Sequence, residues 1–165
     1  MSELLKGKRG LVMGVANERS IAWGIAKALH GAGAELAFTY QGEAFGKRLE
    51  PLAASVGSDF MVDVDVTDDA SLDAAFAALA DRWPSIDFLV HAIAFSDKSE
   101  LTGRILNTSR DNFKLTMDIS VYSFTAVMQR AEKMMTKGGS ALTLTYYGAE
   151  RIMPHYNVID RKSVV

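Results

Sequence analysis

A glycine-containing turn near the N-terminus has residue types and a spacing that suit anion binding. Gly14 follows a short, nearly continuous apolar run that begins at Arg9, and Ser20 and Gly24 come six and ten residues later. The apolar run predicts a buried strand, and the residues from Ser20 to Leu29 predict a helix whose N-terminus is aimed at the end of that strand. Helix N-termini of this kind bind phosphates. Nucleotide binding is one interpretation; the alternative is that Gly14 only turns the chain and Gly24 only lets strand and helix pack closely.

Two tyrosines, Tyr146 and Tyr156, carry hydroxyls that can donate hydrogen bonds to a negatively charged oxygen. A lone tyrosine is more often an amphipathic residue of a core or rim. The three histidines, His30, His91 and His155, lack the spacing to acidic residues that metal ligands show. We therefore expect no metal site.

Composition limits the class of protein. The chain has 165 residues, of which 48% are hydrophobic and 23% charged, with a net charge of −2, which is ordinary for one globular domain. There is no basic excess to suggest nucleic acid, no apolar run long enough to span a membrane, and no apolar secretion signal. Cysteine is absent, which excludes disulfides and thiolate metal sites. We expect a cytoplasmic protein that binds neither nucleic acid nor a membrane.

Five predicted strands alternate with four helical stretches. The strands are predicted at 9–15, 35–40, 59–66, 86–94 and 140–147, and the helices at 20–29, 44–55, from 67 onward and within 110–135. Short connections between them indicate an α/β fold, a parallel sheet with helices on both faces. We predict a doubly wound, Rossmann-type sheet of order 3-2-1-4-5 with its ligand crevice at the carboxyl ends of the strands. The alternative is a flavodoxin-like domain of another strand order.

The residues after the second strand bear on which nucleotide would bind. Dinucleotide folds often carry an acid there that binds the adenosine ribose, whereas this chain has Gln41, which is neutral and able to hydrogen-bond. Lys47 and Arg48 follow on the next helix. They either favour a 2′-phosphate or form a solvated helix face.

Five segments together resemble the NADH-type enoyl-[acyl-carrier-protein] reductases of the short-chain dehydrogenase/reductase superfamily. They are GVANERSIAWG at 14–24, AELAFTYQ at 34–41, HAIAF at 91–95, LTLTYYGAER at 142–151 and MPHYNV at 153–158. The resemblance spans about residues 6–158. It implies a Rossmann fold, NADH as cofactor with NADPH less favoured, and reduction of trans-2-enoyl-[acyl-carrier-protein] in bacterial fatty acid elongation. It also implies a homotetramer and an acyl-carrier-protein-bound enoyl thioester as partner.

The resemblance further implies a role for each matching site residue. The cofactor would be approached by Gly14, Ser20 and Ile21 at the first turn, by Gln41 at the adenosine ribose, by Asp65 and Val66 at the adenine, and by Ile93 at the nicotinamide. Tyr156 is implied to stabilise the enolate oxygen that forms during reduction, and Tyr146 to border the substrate. For Val66 and Ile93, plain core packing is the alternative. For Asp65, a carboxylate after an apolar strand requires a polar partner.

The sequence departs from the family pattern after residue 158. The family places a lysine seven residues after its second catalytic tyrosine, where this chain has Ser163; the neighbouring Lys162 would point about 100° away on a helix. We expect residues 1–159 to form an incomplete NAD(P)-binding domain that lacks the last strands of the family fold. We expect residues 160–165 to be a non-native tail, because Asp-Arg-Lys-Ser-Val-Val corresponds to a translated sequencing-adapter string. A frameshift or a degraded gene is the alternative.

Two other functions remain as alternatives at this stage. The chain could be a nucleotide-binding fragment without turnover, because the lysine and the segments beyond it are missing from the pattern. It could also be another short-chain reductase that acts on a carbonyl. The HAIAF segment at 91–95 disfavours the second alternative, since the wider superfamily usually has an Asn-rich segment there.

Overall fold

The structure is a computed structural model that describes residues 3–102 and 104–146. Five strands lie in one sheet: β1 (Arg9–Met13), β2 (Glu35–Tyr40), β3 (Met61–Asp63), β4 (Phe88–His91) and β5 (Ser140–Thr143). Their order is β3-β2-β1-β4-β5, and every neighbouring pair is parallel. The predicted Rossmann-type order is confirmed, and the flavodoxin-like alternative is wrong.

Helices cover both faces of this sheet. They are α1 (Ile21–Gly31), α2 (Glu43–Ser55), α3 (Asp69–Arg82), α4 (Arg110–Met117) and α5 (Ser123–Met134), with a π-helical segment (Asp118–Tyr122) between α4 and α5. The buried residues of α1 and α2 pack on one face around Val12 and Phe38, and those of α3 and α5 pack on the other around Leu11 and Leu89. Successive β1 residues from Leu11 to Met13 point to opposite faces and are all buried, which is why this part of the strand is apolar.

The helix starts follow the capping signals in the sequence. Ser20 precedes α1 and its hydroxyl accepts the N–H of Trp23 at 3.4 Å, while the carboxylate of Asp68 accepts the N–H of Ala70 at 2.9 Å before α3. Ser109 caps α4 by accepting the N–H of Asn112 at 3.1 Å. Side-chain acceptors of this kind satisfy N–H groups that lack a partner in the first turn.

Several strands end earlier than predicted. β1 ends at Met13, β3 at Asp63, β4 at His91 and β5 at Thr143, so Asp65, Val66 and Ile93 lie beyond their strands and not at the ends of them. Apolar residues nevertheless continue past the last strand pairing, because Val64 and Val66 remain buried in the core after β3. The apolar residues after β3 are therefore explained by their burial in the core and not by strand pairing.

One cation fixes α5 against α3. The guanidinium of Arg130 donates to the carboxylates of Asp73 at 2.6 Å and Asp69 at 3.0 Å, and also to the carbonyl oxygen of Ala126. Burial works against the charge, but the two carboxylates outweigh it and raise the pKa of Arg130. This contact holds α5, which follows directly after the π-helical segment that contributes Ile119 to the candidate site. No helix in the described ranges is long and apolar enough to cross a membrane.

Candidate dinucleotide-binding site

A crevice of about 200 Å³ opens at the carboxyl ends of β1, β2 and β4, where the winding of the sheet reverses. Four of the predicted residues line it, namely Gly14, Gln41, Val66 and Ile93. These residues come from four different sheet connections. The predicted position of the crevice is thus confirmed by the structure.

Gly14 is where the end of β1 comes closest to the segment that follows β4. Its φ is +91°, and a Cβ built on it would lie 2.1 Å from the carbonyl oxygen of Ala92. This φ is unfavourable for any residue with a side chain. A Cβ atom only 2.1 Å from a carbonyl oxygen would also clash with it unless the backbone moved. Close approach of two strand ends therefore requires glycine here. Gly24 differs, because a Cβ there would meet no atom within 4 Å, so the close-packing interpretation of Gly24 is wrong.

The N-terminus of α1 lies beside the Gly14 turn. The Ser20 hydroxyl donates to the carbonyl oxygen of Asn17 at 2.7 Å, and the side chain of Asn17 in turn accepts the N–H of Arg19 at 2.8 Å. The Ile21 side chain is 68% exposed. Neither Ser20 nor Ile21 lines the crevice. The backbone N–H of Ile21 belongs to the first turn of α1, where N–H groups have no intrahelical acceptor.

Asp65 does not itself line the crevice, but its carboxylate is hydrogen-bonded to the side chain of Gln41, which does. The Asp65 carboxylate accepts the Thr67 N–H at 2.9 Å and the Thr67 hydroxyl at 2.7 Å. These bonds, with a weaker one from the Gln41 side chain, hold the pKa of Asp65 below its ordinary value despite partial burial. The expected polar partner of this carboxylate is therefore Thr67, joined by Gln41. The structure thus brings together Gln41 and Asp65, two of the three residues predicted for the adenosine end, and their contact with adenosine stays a prediction.

Ile93 belongs to a segment that is held by the π-helical segment and by α4. The N–H of Phe95 donates to the Ser120 hydroxyl at 3.0 Å, which donates back to the Phe95 carbonyl oxygen at 3.1 Å. Two residues on, the N–H of Asp97 donates to the side-chain oxygen of Asn112 at 2.9 Å. These bonds set the crevice wall formed by residues 92–95. Ile93 both lines the crevice and packs against the core, and its contact with the nicotinamide stays a prediction.

The two tyrosines are not brought together within the described residues. Tyr146 lies three residues beyond β5, is 38% exposed and does not line the crevice. Tyr156 falls outside the described residues, as do the expectations for residues 160–165. The roles of both tyrosines stay predictions.

The cations after β2 are engaged on their own helix. Lys47 forms an ion pair with Glu43 one turn away, and the Arg48 guanidinium lies 5.7 Å from the centroid of the Phe45 ring. Neither cation lines the crevice. This arrangement favours the solvated helix face over a site for a 2′-phosphate.

Several crevice residues were not predicted. Thr39 and Tyr40 are the last two residues of β2. Their position at the carboxyl end of a strand could have indicated that they line the crevice. Phe45 and Ile119 come from α2 and the π-helical segment, and nothing in the local sequence indicates that they face the crevice. Among residues 3–102 and 104–146, no group of three or more histidine or acidic residues is placed to hold a metal ion.

The sheet order, the glycine turn and the crevice at the switch point define a Rossmann-type domain of the dinucleotide-binding class. The chain belongs to the enoyl-(acyl carrier protein) reductase family, whose model matches residues 14–162. It is 67% identical over 158 residues to enoyl-[acyl-carrier-protein] reductase [NADH] 1 of Rhizobium meliloti (strain 1021), covering 96% of this chain and 58% of that protein. It is 49% identical over 161 residues to enoyl-[acyl-carrier-protein] reductase [NADH] FabI of Bacillus subtilis (strain 168). That match covers 96% of this chain and 62% of that protein.

Solved structures agree with the sequence relatives. FabI from Candidatus Liberibacter asiaticus superposes with a TM-score of 0.97 at 57% identity, covering 99% of this chain and 64% of that one. The reductase from Anaplasma phagocytophilum, solved in complex with NAD, superposes with a TM-score of 0.95 at 53% identity. The match covers 99% of this chain and 63% of that one. The chain therefore spans less than two thirds of the length of each of these relatives.

Proposed function

We propose that this chain serves in the reduction of the 2,3 double bond of trans-2-enoyl-[acyl-carrier-protein] by NADH, in bacterial fatty acid elongation. The observation that carries the proposal is the crevice at the Gly14 turn in a chain whose relatives are NADH-type enoyl reductases. We place the protein in the cytoplasm and propose a homotetramer, both by analogy with the family.

The residues around the crevice suit NADH. A phosphate of the cofactor would lie at the N-terminus of α1, where the N–H groups of the first turn are available as donors. Gln41 and Asp65 offer hydrogen-bonding groups to the adenosine, and Val66 and Ile93 offer apolar walls. When bound, NADH supplies the hydride that is transferred to the β-carbon of the enoyl thioester. The engagement of Lys47 and Arg48 within α2 favours NADH over NADPH.

The tyrosine hydroxyls supply the electrostatic part of the proposed reaction. As the double bond is reduced, negative charge develops on the thioester oxygen. In this proposal the Tyr156 hydroxyl donates a hydrogen bond to that oxygen, and Tyr146 borders the substrate from the end of β5. A donor positioned where charge develops lowers the barrier, and its removal typically costs about 10²–10³ in kcat.

A second candidate, nucleotide binding without turnover, is favoured by one residue. Ser163 stands where the family pattern has a lysine. Without that lysine, the set of catalytic residues that the family pattern implies is incomplete. In this case the crevice would recognise NADH but the chain would not reduce a substrate.

The test measures NADH binding and NADH oxidation separately. Binding is followed by fluorescence, and oxidation by absorbance with crotonyl thioester or with a ketoacyl thioester. We expect NADH to bind and oxidation to depend on the crotonyl thioester and on Tyr156, with Tyr156→Phe compared with the exposed control Tyr122→Phe. Binding without oxidation, together with turnover gained in Ser163→Lys, would support the second candidate. Oxidation only with the ketoacyl thioester would indicate a carbonyl reductase.

A further inference from the structure

His91 is the last residue of β4 and is almost completely buried, with 1% of its surface exposed. Its ring meets the ring of Phe124 edge to face at a centroid distance of 5.5 Å. Both ring nitrogens contact hydroxyls from other elements. Nε2 lies 2.8 Å from the Ser123 Oγ at the start of α5, and Nδ1 lies 3.3 Å from the Thr143 Oγ1 at the end of β5.

The hydroxyl of Ser123 determines which nitrogen carries the hydrogen. Ser123 donates its one hydroxyl hydrogen to the carbonyl oxygen of Ile119 at 2.6 Å. Toward the imidazole it can therefore only accept, so Nε2 of His91 carries a hydrogen and donates it. In the neutral ring Nδ1 is then an acceptor, and the Thr143 hydroxyl donates to it. The four groups form one directed chain from Thr143 through His91 and Ser123 to Ile119.

This chain of hydrogen bonds acts on β5, which is an edge strand of the sheet within the described residues. In the described part of the protein β5 pairs only with β4, and all four of its residues are exposed. His91 and Thr143 lie opposite each other in the parallel register. The side-chain bond therefore ties the last residue of β5 to the last residue of β4. After Thr143 the chain continues to Tyr146, and after His91 it continues to Ile93.

We propose that His91 is a positioning residue, which holds the end of β5, and with it Tyr146, in place beside the Ile93 wall of the crevice. The imidazole does so in the single tautomer that Ser123 imposes. Its effect on turnover rests on the reductase activity proposed above, whereas its effect on β5 does not. A histidine that only filled space in the core would be indifferent to the Thr143 hydroxyl.

The test replaces that hydroxyl without changing the shape of the side chain. Thr143→Val removes the donor, Thr143→Ser keeps it, and Thr136→Val makes the same chemical change at an exposed threonine before β5. Substitution of His30 and His155 by Gln leaves His91 as the single imidazole, since the chain has three histidines. Imidazole nitrogen NMR then identifies the protonated nitrogen, and amide hydrogen exchange reports on residues 140–146.

We expect the wild-type hydrogen on Nε2, and an Nδ1 resonance that shifts in Thr143→Val and is restored in Thr143→Ser. Loss of the bond should speed exchange in residues 140–146 by about threefold to tenfold in Thr143→Val, with Thr143→Ser and Thr136→Val close to wild type. With crotonyl thioester, Thr143→Val should lower kcat by roughly tenfold and leave the KM for NADH nearly unchanged.

Two results would overturn the role of His91 in holding β5. One is a hydrogen on Nδ1 of wild-type His91, and the other is unchanged exchange in Thr143→Val. If the wild-type chain shows no turnover, the proposed function fails, and the resonance and exchange measurements still decide the role of His91. If turnover is present but kcat responds equally in Thr143→Val and Thr136→Val, positioning of Tyr146 by His91 is wrong.

Discussion

Asp87 and Arg9 form two hydrogen bonds with each other at the amino ends of β4 and β1, the ends of these strands that lie away from the crevice. The Asp87 carboxylate accepts the Arg9 N–H at 2.9 Å, and the Asp87 N–H donates to the Arg9 carbonyl oxygen at 2.7 Å. The ammonium of Lys8 also donates to the Asp87 carboxylate at 2.7 Å. One side chain thus joins the start of β4 to the start of β1.

We predict that this carboxylate contributes to the acid sensitivity of the fold. Hydrogen bonding by Lys8, and then by the Arg9 N–H, lowers the pKa of Asp87 in the folded state. A lowered folded-state pKa stabilises the protein above the ordinary value of about 4, and this stabilisation is lost as the pH falls through the folded value. Asp87→Asn should therefore be about 1 kcal/mol less stable than wild type at pH 7. It should also lose less stability on acidification.

Urea unfolding of both proteins at neutral pH and below pH 4 measures this difference. Asp59→Asn is the control, because that carboxylate is 76% exposed and pairs with Arg82 on the surface. It should retain the wild-type pH dependence. An equal loss of stability on acidification in wild type and Asp87→Asn would contradict the prediction.

Gly14→Ala should damage both folding and binding. Because the added Cβ would lie 2.1 Å from the Ala92 carbonyl oxygen at a φ of +91°, the ends of β1 and β4 must separate. We expect a loss of at least about 2 kcal/mol in the free energy of unfolding, measured in urea, and a weaker NADH fluorescence signal. Wild-type stability in this variant would show that the two strand ends do not need the close approach.

Gly24→Ala makes the same chemical change with the opposite expected result. Gly24 is exposed inside α1, and a Cβ there would meet no atom within 4 Å. Alanine should stabilise the free protein by about 0.5–1 kcal/mol, because it loses less backbone entropy than glycine on forming a helix. Urea unfolding without cofactor checks this value. Destabilisation would mean that another group approaches this position.

Asp65→Ala tests the adenosine end of the crevice. The substitution removes the acceptor of the Thr67 N–H and hydroxyl and the partner of Gln41. We expect the Kd for NADH to rise by about threefold to tenfold, which is the effect of one or two lost hydrogen bonds. Fluorescence titration measures the change, with Asp59→Ala as a carboxylate control outside the crevice. Equal affinities of Asp65→Ala and wild type would remove Asp65 from the proposed binding site.

The elements and their order were predictable because they depend on local patterns. Continuous apolar runs marked the buried parallel strands, and the structure confirms the helices predicted from Ser20 and from residue 67 onward. Short connections between strands and helices then left few topologies. The position of the crevice followed from the strand order alone, since strand order determines where the winding reverses.

Strand ends and side-chain partners depended on contacts that no local pattern encodes. β3 and β4 end earlier than predicted because the backbone pairing stops while the chain stays buried. The apolar residues around Val64 indicate burial in the sequence, but they do not show where the pairing stops. The bond partners of His91 lie 32 and 52 residues away. His91 thus looked like a histidine without ligand spacing in the sequence, and only the packing of α5 and β5 on β4 gave its two nitrogens different roles. Local chemistry determined the Gly14 turn, whereas tertiary contacts decided what surrounds it, because hydrogen bonds and packing require groups to meet in space.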